Sequence, residues 1–269
     1  MADASPNRIK IVALIGSPRN EESWTYKNIR LIEQKMNAIQ PTEVEYVFIQ
    51  KLGVPFCDGC LSCVRVGEES CPEYALIGPV AAKMDAADGI ILGAPVHTFN
   101  VTGLMKNFVE YFMYKRNRPS FFGKKAVVTT TASGGGHKIV LDFLENTATA
   151  WGCDIVTRMG ISSAQMRKDK YVAKVDAVAE EVAQKFVAAI SKGELGSPRF
   201  RHLMNFVAMQ NMTRNQKGTK NYEYWLERDW LDARFYTDVS INPFARMLAG
   251  YISRKMRRAM RKGNVEPHR

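Results

Sequence analysis

The sequence predicts an α/β domain of the doubly wound class, in which helices cover both faces of a parallel sheet. Short apolar runs alternate with longer segments of helical spacing over the first 196 of the 269 residues. These apolar runs are continuous, which is typical of strands that are buried on both faces. Because right-handed crossovers leave few arrangements for five such strands, we predict the strand order 2-1-3-4-5.

The predicted elements follow one another as strand and helix in turn. Gly16 ends the first apolar run and Gly93 follows the third, as expected where a buried strand passes into a turn. The strands are expected at residues 9–15, 44–49, 89–92, 126–131 and 155–159. The helices are expected at residues 24–39, 75–85, 101–114, 137–150 and 172–190.

The distribution of charge divides the chain into two parts. Residues 1–196 carry 23 Lys and Arg against 21 Asp and Glu, whereas residues 197–269 carry 15 against 6. A Gly/Ser/Pro-containing stretch at 193–198 lies at the change and predicts a domain boundary. We therefore expect an α/β domain at residues 1–196 and a basic, aromatic, mainly helical C-terminal extension at residues 197–269.

Composition indicates an ordinary globular protein. Apolar residues make up 46% of the chain and charged residues 24%. No apolar run is long enough for a membrane span, and the first residues lack the apolar core of a secretion signal. These features predict a cytoplasmic protein.

Three loops are expected at the crevice edge of the sheet, where ligands of doubly wound folds bind. The first loop, residues 16–25, carries hydroxyl groups and ends at a helix N-terminus with free backbone N–H groups, a combination that suits an anion. The alternative interpretation is a turn whose serine only caps the helix. The second, residues 93–103, is mostly uncharged and could lie along a flat heterocycle. The third, residues 131–137, contains three consecutive glycines. They indicate either that another group approaches the backbone closely or that the loop is flexible.

Four of the five cysteines fall in one short loop, residues 57–71, between the second strand and the second helix. Their spacing is Cys57-x2-Cys60-x2-Cys63-x7-Cys71, followed by Pro72. Such closely packed thiolates favour an iron–sulfur cluster, although a zinc site or a cluster-free loop of packed thiols also fits. Cys153 lies apart from them, and we expect it to be a buried apolar residue.

The three crevice loops together resemble those of the NADPH-dependent FMN reductase and iron–sulfur flavoprotein branch of the flavodoxin superfamily. The resemblance rests on the sequences Gly-Ser-Pro-Arg at 16–19, Gly-Ala-Pro-Val-His at 93–97, Gly-Leu-Met-Lys-Asn-Phe at 103–108 and Ser-Gly-Gly-Gly at 133–136. It covers residues 8–190 and implies a flavodoxin-like fold and bound FMN. In relatives, Asn-Thr commonly stands where this chain has Ser23-Trp24-Thr25.

The resemblance also implies site residues. It places the FMN phosphate near Ser17, Arg19, Ser23 and Thr25. It places the isoalloxazine ring near Pro95, Val96, His97, Asn100, Ser133, Gly134 and Gly135, with His97 as the candidate catalytic residue. The cysteine motif is similar to that which holds a [4Fe–4S] cluster near FMN in iron–sulfur flavoproteins, which makes Cys57, Cys60, Cys63 and Cys71 the predicted cluster ligands.

The leading functional hypothesis is therefore a flavin-dependent oxidoreductase that passes electrons between a [4Fe–4S] cluster and FMN, with NAD(P)H or ferredoxin as the donor. One alternative is a cluster-free NAD(P)H-dependent FMN or quinone reductase. A non-enzymatic alternative is a flavin-binding interaction or regulatory protein. The family resemblance also implies a homodimer or homotetramer.

The C-terminal extension ends in a predicted basic amphipathic helix at residues 244–260. Its apolar positions are Phe244, Met247, Leu248, Tyr251, Ile252 and Met256. Its basic positions are Arg246, Arg254, Arg257, Arg258 and Arg261. We expect the apolar face to pack on the core or on a neighbouring subunit; a membrane surface or an acidic electron carrier is an alternative partner, and nucleic acid is not expected.

Overall fold

A computed structural model describes residues 8–262 and has the flavodoxin-like, doubly wound fold that the sequence predicts. The five strands are β1 Ile9–Ile15, β2 Thr42–Phe48, β3 Gly89–Pro95, β4 Lys125–Ala132 and β5 Asp154–Ser162. The helices up to the extension are α1 Trp24–Asn37, α2 Ser62–Arg65, α3 Tyr74–Ala86, α4 Gly103–Tyr111, α5 Met113–Asn117, α6 His137–Trp151 and α7 Asp169–Lys192.

All neighbouring strands are parallel, and their order is β2-β1-β3-β4-β5. Every residue of β4, which lies between β3 and β5, is buried. Side chains of β1 alternate between two apolar clusters, because successive residues of a strand point to opposite faces of the sheet. Ile11, Ala13 and Ile15 pack with α1 and α7, whereas Val12 and Leu14 pack on the face covered by α3, α4 and α6.

The structure corrects the predicted helix at residues 101–114. Helix α4 ends at Tyr111, and α5 begins at Met113. Between them, the N–H group of Phe112 bonds to the carbonyl of Val109, a tighter pairing than that of an α-helix. Phe112 is fully buried against Phe108 and Trp151, so packing of its ring accompanies the break in the helix.

The C-terminal extension contains α8 Phe200–Thr213, α9 Lys220–Glu227 and α10 Pro243–Lys262. These helices and the segment after α9 build an apolar cluster of their own around Phe206, Trp225 and Trp230. Residues 193–199, where the domain boundary is predicted, contain no helix or strand. None of the helices within residues 8–262 has the length and apolar character needed to cross a membrane.

Helical spacing over residues 221–235 would place Tyr222, Trp225 and Asp229 on one face, but α9 ends before Asp229. The helix ends at Glu227, and Asp229 has a left-handed conformation with φ of 56°. Aspartate tolerates this conformation better than most residues. The resulting turn brings the N–H group of Trp230 to the carbonyl of Trp225, so that both indoles enter the same cluster.

Candidate functional site

The first crevice loop joins β1 to α1 and presents the N-terminus of α1. Ser23 caps the helix, because its Oγ accepts a hydrogen bond from the N–H group of Tyr26 at 3.1 Å. The N–H groups of Trp24 and Thr25 have no preceding helical turn to bond, so they are suited to an anion. Arg19 is exposed at the loop, and Ser17 is buried with its Oγ accepting from the N–H group of Arg19 at 3.3 Å.

Two of the predicted phosphate ligands are occupied by bonds within the protein. The Ser23 hydroxyl donates to the carbonyl of Asn20 at 2.7 Å in addition to its capping role. The hydroxyl groups of Thr25 and Thr131 lie 3.0 Å apart and are fully buried between α1 and β4. The roles of these residues toward a phosphate stay predictions. The helix N–H groups, Ser17 and Arg19 are the remaining candidate donors of the loop.

Hydrogen bonds hold the three loops together at one edge of the sheet. The Thr102 hydroxyl, which caps α4, donates to the carbonyl of Gly16 at 2.6 Å and so joins the second loop to the first. The N–H group of Val96 donates to the carbonyl of Thr131 at 2.8 Å and joins the second loop to the strand that precedes the third. The predicted flavin residues are thus brought to one crevice.

The second loop contains a tight turn with unusual backbone angles. His97 and Asn100 exchange two backbone hydrogen bonds of 2.8 and 2.9 Å. Thr98 and Phe99 between them are both left-handed, with φ of 47° and 56°, a conformation that costs free energy for residues with a Cβ atom. The turn presents Phe99, whose side chain is 66% exposed, at the rim of the crevice.

The third loop packs against this turn through Gly136. Its φ is +94°, and a Cβ atom at this position would lie 2.8 Å from Cγ1 of Val96 and 3.3 Å from the ring of Phe99. Glycine is therefore required for the two loops to approach each other. Ser133, Gly134 and Gly135 are exposed beside it, which leaves their backbone open to a ligand.

The two histidines near the crevice differ in their surroundings. His97 is exposed at the start of the tight turn. The ring of His137 lies at the start of α6, where its Nε2 is 2.9 Å from the carbonyl oxygen of Ile161 in β5. His137 therefore links α6 to the sheet, and His97 is the histidine that is open to a ligand at the crevice.

The cysteine loop places Cys57, Cys60, Cys63 and Cys71 on the wall of one cavity of about 90 Å³. Gly59 has φ of +71°, which turns the chain between the first two cysteines. The carboxylate of Asp58 accepts a hydrogen bond from the N–H group of Cys60 at 3.0 Å, and this bond holds the pKa of Asp58 below its usual value. The loop is therefore folded around a space that all four thiols border.

The thiols influence one another across the cavity. Burial raises the pKa of Cys63 to about 11, and the neighbouring Cys71, Cys57 and Cys60 add to the rise. Within residues 8–262, no three His, Cys, Asp or Glu side chains come close enough together to hold a single metal ion. A single zinc ion would require thiolates drawn to about 2.3 Å from one centre. A [4Fe–4S] cluster binds four thiolates at four separate irons, and four cysteines around one shared space suit it.

Helix α4 connects the cysteine loop to the crevice. Its cap, Thr102, bonds to Gly16 at the first loop. Five residues further on, Asn107 accepts a hydrogen bond from the N–H group of Cys57 at 2.9 Å and donates to the carbonyl of Pro55 at 2.7 Å. The helical rise separates Thr102 from Asn107 by about 7.5 Å along the axis. The two candidate sites are therefore held by one short helix.

Arg118 supports the other side of the cysteine loop. Its side chain is only 4% exposed, and its Nη2 donates to the carbonyl of Cys63 at 2.9 Å and to the carboxylate of Glu68 at 2.5 Å. Its Nη1 donates to Oδ1 of Asn221 in α9 at 2.6 Å. This guanidinium thereby joins the cysteine loop to the C-terminal extension.

A sequence comparison identifies the family of this fold and site. Residues 9–165 match the family described as NADPH-dependent FMN reductase, and this range includes all three crevice loops and the cysteine loop. The chain belongs to the NADPH-dependent FMN reductase family. This family consists of flavin-dependent oxidoreductases, and FMN is its cofactor.

This FMN reductase family member is similar to several named relatives. It is 28% identical over 148 residues to an iron-sulfur flavoprotein of Archaeoglobus fulgidus, an alignment that covers 54% of this chain and 64% of the relative. It is 29% identical to an iron-sulfur flavoprotein of Methanocaldococcus jannaschii, over 51% of this chain and 70% of the relative. It is 28% identical to an FMN-dependent NADH:quinone oxidoreductase of Shewanella loihica, over 48% of this chain and 72% of the relative. The first alignment thus spans less than two-thirds of that relative.

Solved structures agree on the fold. An oxidoreductase from Corynebacterium diphtheriae superposes with a TM-score of 0.52 at 16% identity, over 68% of this chain and 98% of its own. An NADH:FMN oxidoreductase superposes with a TM-score of 0.50 at 22% identity, over 71% of this chain and 97% of its own. Both similarities concern the flavodoxin-like fold.

The residues that brace the site are not indicated by a local sequence motif. Asn107 and Tyr111 both bond to the carbonyl of Pro55. For Asn107, the sequence offers one signal: an asparagine at a position where helical spacing predicts an apolar residue. No local pattern indicates Arg118, because its partner Asn221 is 103 positions away. Cys153, by contrast, is buried as predicted, and burial raises its pKa to about 12.

Proposed function

We propose that this chain is an iron–sulfur flavoprotein that passes electrons between FMN in the crevice and a [4Fe–4S] cluster on Cys57, Cys60, Cys63 and Cys71. The observation that carries the proposal is the arrangement of both candidate sites on α4, whose cap contacts the first crevice loop and whose Asn107 holds Cys57. The names of the relatives from Archaeoglobus fulgidus and Methanocaldococcus jannaschii support it.

The residues present suit FMN. The N–H groups at the start of α1, Ser17 and the exposed Arg19 supply donors for a phosphate. Val96, Phe99 and the exposed backbone of residues 133–135 supply apolar and peptide surface for a flat ring. His97 is exposed beside them and would donate or accept a hydrogen bond at the flavin or at a substrate.

When bound, FMN exchanges two electrons as a hydride or releases them singly, and an iron–sulfur cluster exchanges one at a time. The protein supplies position and electrostatics for both. Arg118 places a buried positive charge behind the loop, with its guanidinium bonded to the carbonyl of Cys63. A positive charge near a cluster favours its reduced, more negative state.

The decisive experiment compares two variants of protein purified without oxygen. We expect the unchanged protein and Cys153→Ser to contain one FMN and about four irons and four sulfides per chain, with the broad visible absorption of a cluster. Replacing all four loop cysteines with serine should remove the iron and sulfide and leave the FMN. Stoichiometric zinc, or a spectrum of flavin alone in the unchanged protein, would show that the cluster proposal is wrong.

A cluster-free NAD(P)H-dependent FMN or quinone reductase is the second candidate, because the relative from Shewanella loihica is named as an FMN-dependent NADH:quinone oxidoreductase. Rapid mixing of the FMN-loaded protein with NADH or NADPH separates the two. Fast bleaching of the flavin, unchanged in the variant that lacks all four loop cysteines, would support this reductase. Reduction by reduced ferredoxin that depends on the loop cysteines would support the electron-transfer protein.

A further inference from the structure

Helix α10 packs on the rest of the protein through a different face from the bulky apolar face that its sequence predicts. It packs on α8 through Ala245, Ala249, Ser253 and Met256, which are partly or fully buried. The small side chains of Ala249 and Ser253 allow the two helices to approach closely. Three bulky apolar residues of the N-terminal half face away: Phe244, Met247 and Tyr251 are 68%, 63% and 58% exposed, whereas Leu248 is half-buried.

The exposed side of α10 changes character along its length. Phe244, Met247 and Tyr251 occupy positions i, i+3 and i+7, which lie on one helical face. At the same side, the next turns carry Arg254, Lys255 and Arg258, all of them exposed. Arg261 belongs to the same predicted basic set, but its side chain lies outside the described residues. An apolar half is therefore followed by a basic half on one outward surface.

The surroundings of this surface are also basic. A shallow groove beside it is lined by Arg234, Arg246 and Arg254 together with Met247 and Gly250. No aspartate or glutamate occurs in the sequence from residue 239 to residue 262. Asp238, just before the helix, lines the neighbouring groove with Arg234 and Arg246. The charged side chains of α10 itself are all basic, so its outward surface favours anions over cations.

We propose that the exposed surface of α10 binds the surface of an anionic lipid bilayer. Such a bilayer presents negative headgroups above an apolar interior, so one partner satisfies both the arginines and the three bulky apolar side chains. A second copy of this chain is a poorer partner, because a two-fold contact through this surface would double the positive charge without supplying an acid. An acidic protein would match the basic half and leave the apolar half without a partner.

The test measures sedimentation of the full-length, FMN-loaded protein with vesicles. We expect binding to vesicles that contain phosphatidylglycerol, little binding to phosphatidylcholine alone, and loss of binding as salt is raised. The variant Arg254→Gln/Lys255→Gln/Arg258→Gln should lower the partition coefficient by about tenfold or more. The variant Phe244→Ser/Met247→Ser/Tyr251→Ser should also lower it, since it removes the apolar contact.

A matched control carries the same change of net charge elsewhere. Arg167 lies just before α7, Lys170 and Lys174 lie in its first turns, and all three are exposed. Their replacement with glutamine should leave vesicle binding within about twofold of the unchanged protein if the surface of α10 is responsible. Equal loss in this control, or no binding to phosphatidylglycerol vesicles, would overturn the proposal. If the serine variant instead turned a dimer into a monomer with vesicle binding unchanged, a second copy would be the occupant and the proposal would be wrong.

Discussion

Nη1 of Arg118 donates a hydrogen bond to Oδ1 of Asn221 at 2.6 Å, and this bond spans 103 positions of the sequence. The same guanidinium bonds to Glu68 and to the carbonyl of Cys63. The C-terminal extension is therefore joined directly to the cysteine loop, and its packing bears on the order of that loop.

Replacing Arg118 with methionine should loosen both the loop and the extension. The change removes the partner of the half-buried Glu68 and leaves Asn221 without its donor, so we expect a loss of about 3 kcal/mol in the free energy of unfolding. Urea unfolding measures the loss, and limited proteolysis should show faster cleavage within residues 57–71. Arg116→Met, two residues away at an exposed position, is the control. Equal stability of the two variants would contradict the structural role of Arg118.

Trp225→Ala should disrupt the apolar cluster of the extension. The indole is fully buried, its Nε1 donates to the carbonyl of Asn117 at 2.6 Å, and its ring lies 5.6 Å from those of Phe206 and Trp230. We expect a loss of about 3–5 kcal/mol in unfolding free energy and a large change in the near-ultraviolet circular dichroism. Trp24→Ala, at a partly exposed tryptophan outside the extension, should cost far less. A comparable loss in both variants would contradict the prediction.

Gly136→Ala and Gly134→Ala should separate the folding and flavin-binding roles of the third loop. Alanine at 136 has a strained φ and contacts Val96, so the FMN-free protein should lose about 1–3 kcal/mol of stability. A Cβ atom at 134 meets nothing within 4 Å, so this variant should fold as stably as the unchanged protein. If the flavin lies against residues 133–135, Gly134→Ala should nevertheless lower the FMN affinity in a fluorescence titration. Unchanged affinity would place the flavin elsewhere.

His202 should make stability fall as the solution becomes acidic. Burial, and then Arg199, hold the pKa of His202 below its usual 6.5, so the folded state binds this proton less readily than the unfolded state. The contribution of the neutral imidazole to the free energy of unfolding is therefore fully present above pH 6.5. It is lost as the pH falls from 6.5 toward the lowered pKa of the folded state. Unfolding free energies of the unchanged protein and His202→Asn, measured against pH, should differ in slope below 6.5. Parallel curves would contradict the prediction.

The sheet was predictable because its signal is local. Each buried strand is a continuous apolar run, and the right-handed crossover rule converts five such runs into the observed strand order. The break at Phe112 was missed because it accompanies the packing of one ring between Phe108 and Trp151, which lie on different helices.

The partner of a helix face is less predictable than the face itself. The sequence marks Phe244, Met247 and Tyr251 as an apolar set, but the close contact with α8 is made by Ala249 and Ser253 instead. In the candidate site, the crevice loops have local motifs, whereas the contacts of Asn107 and Arg118 depend on residues about 50 or more positions away. Local motifs therefore predict the crevice loops but not the side chains that brace them.

The bond between Arg118 and Asn221 also sets an order of assembly during synthesis. At the usual rate of about 5–20 residues per second, Asn221 leaves the ribosome roughly five to twenty seconds after Arg118. Throughout that interval the cysteine loop lacks its support from α9, and its thiols are held mainly by α4 and by the first contacts of Arg118. A group inserted into the loop before synthesis ends would therefore enter a chain that still lacks α9, and the last quarter of the protein would fold over it afterwards.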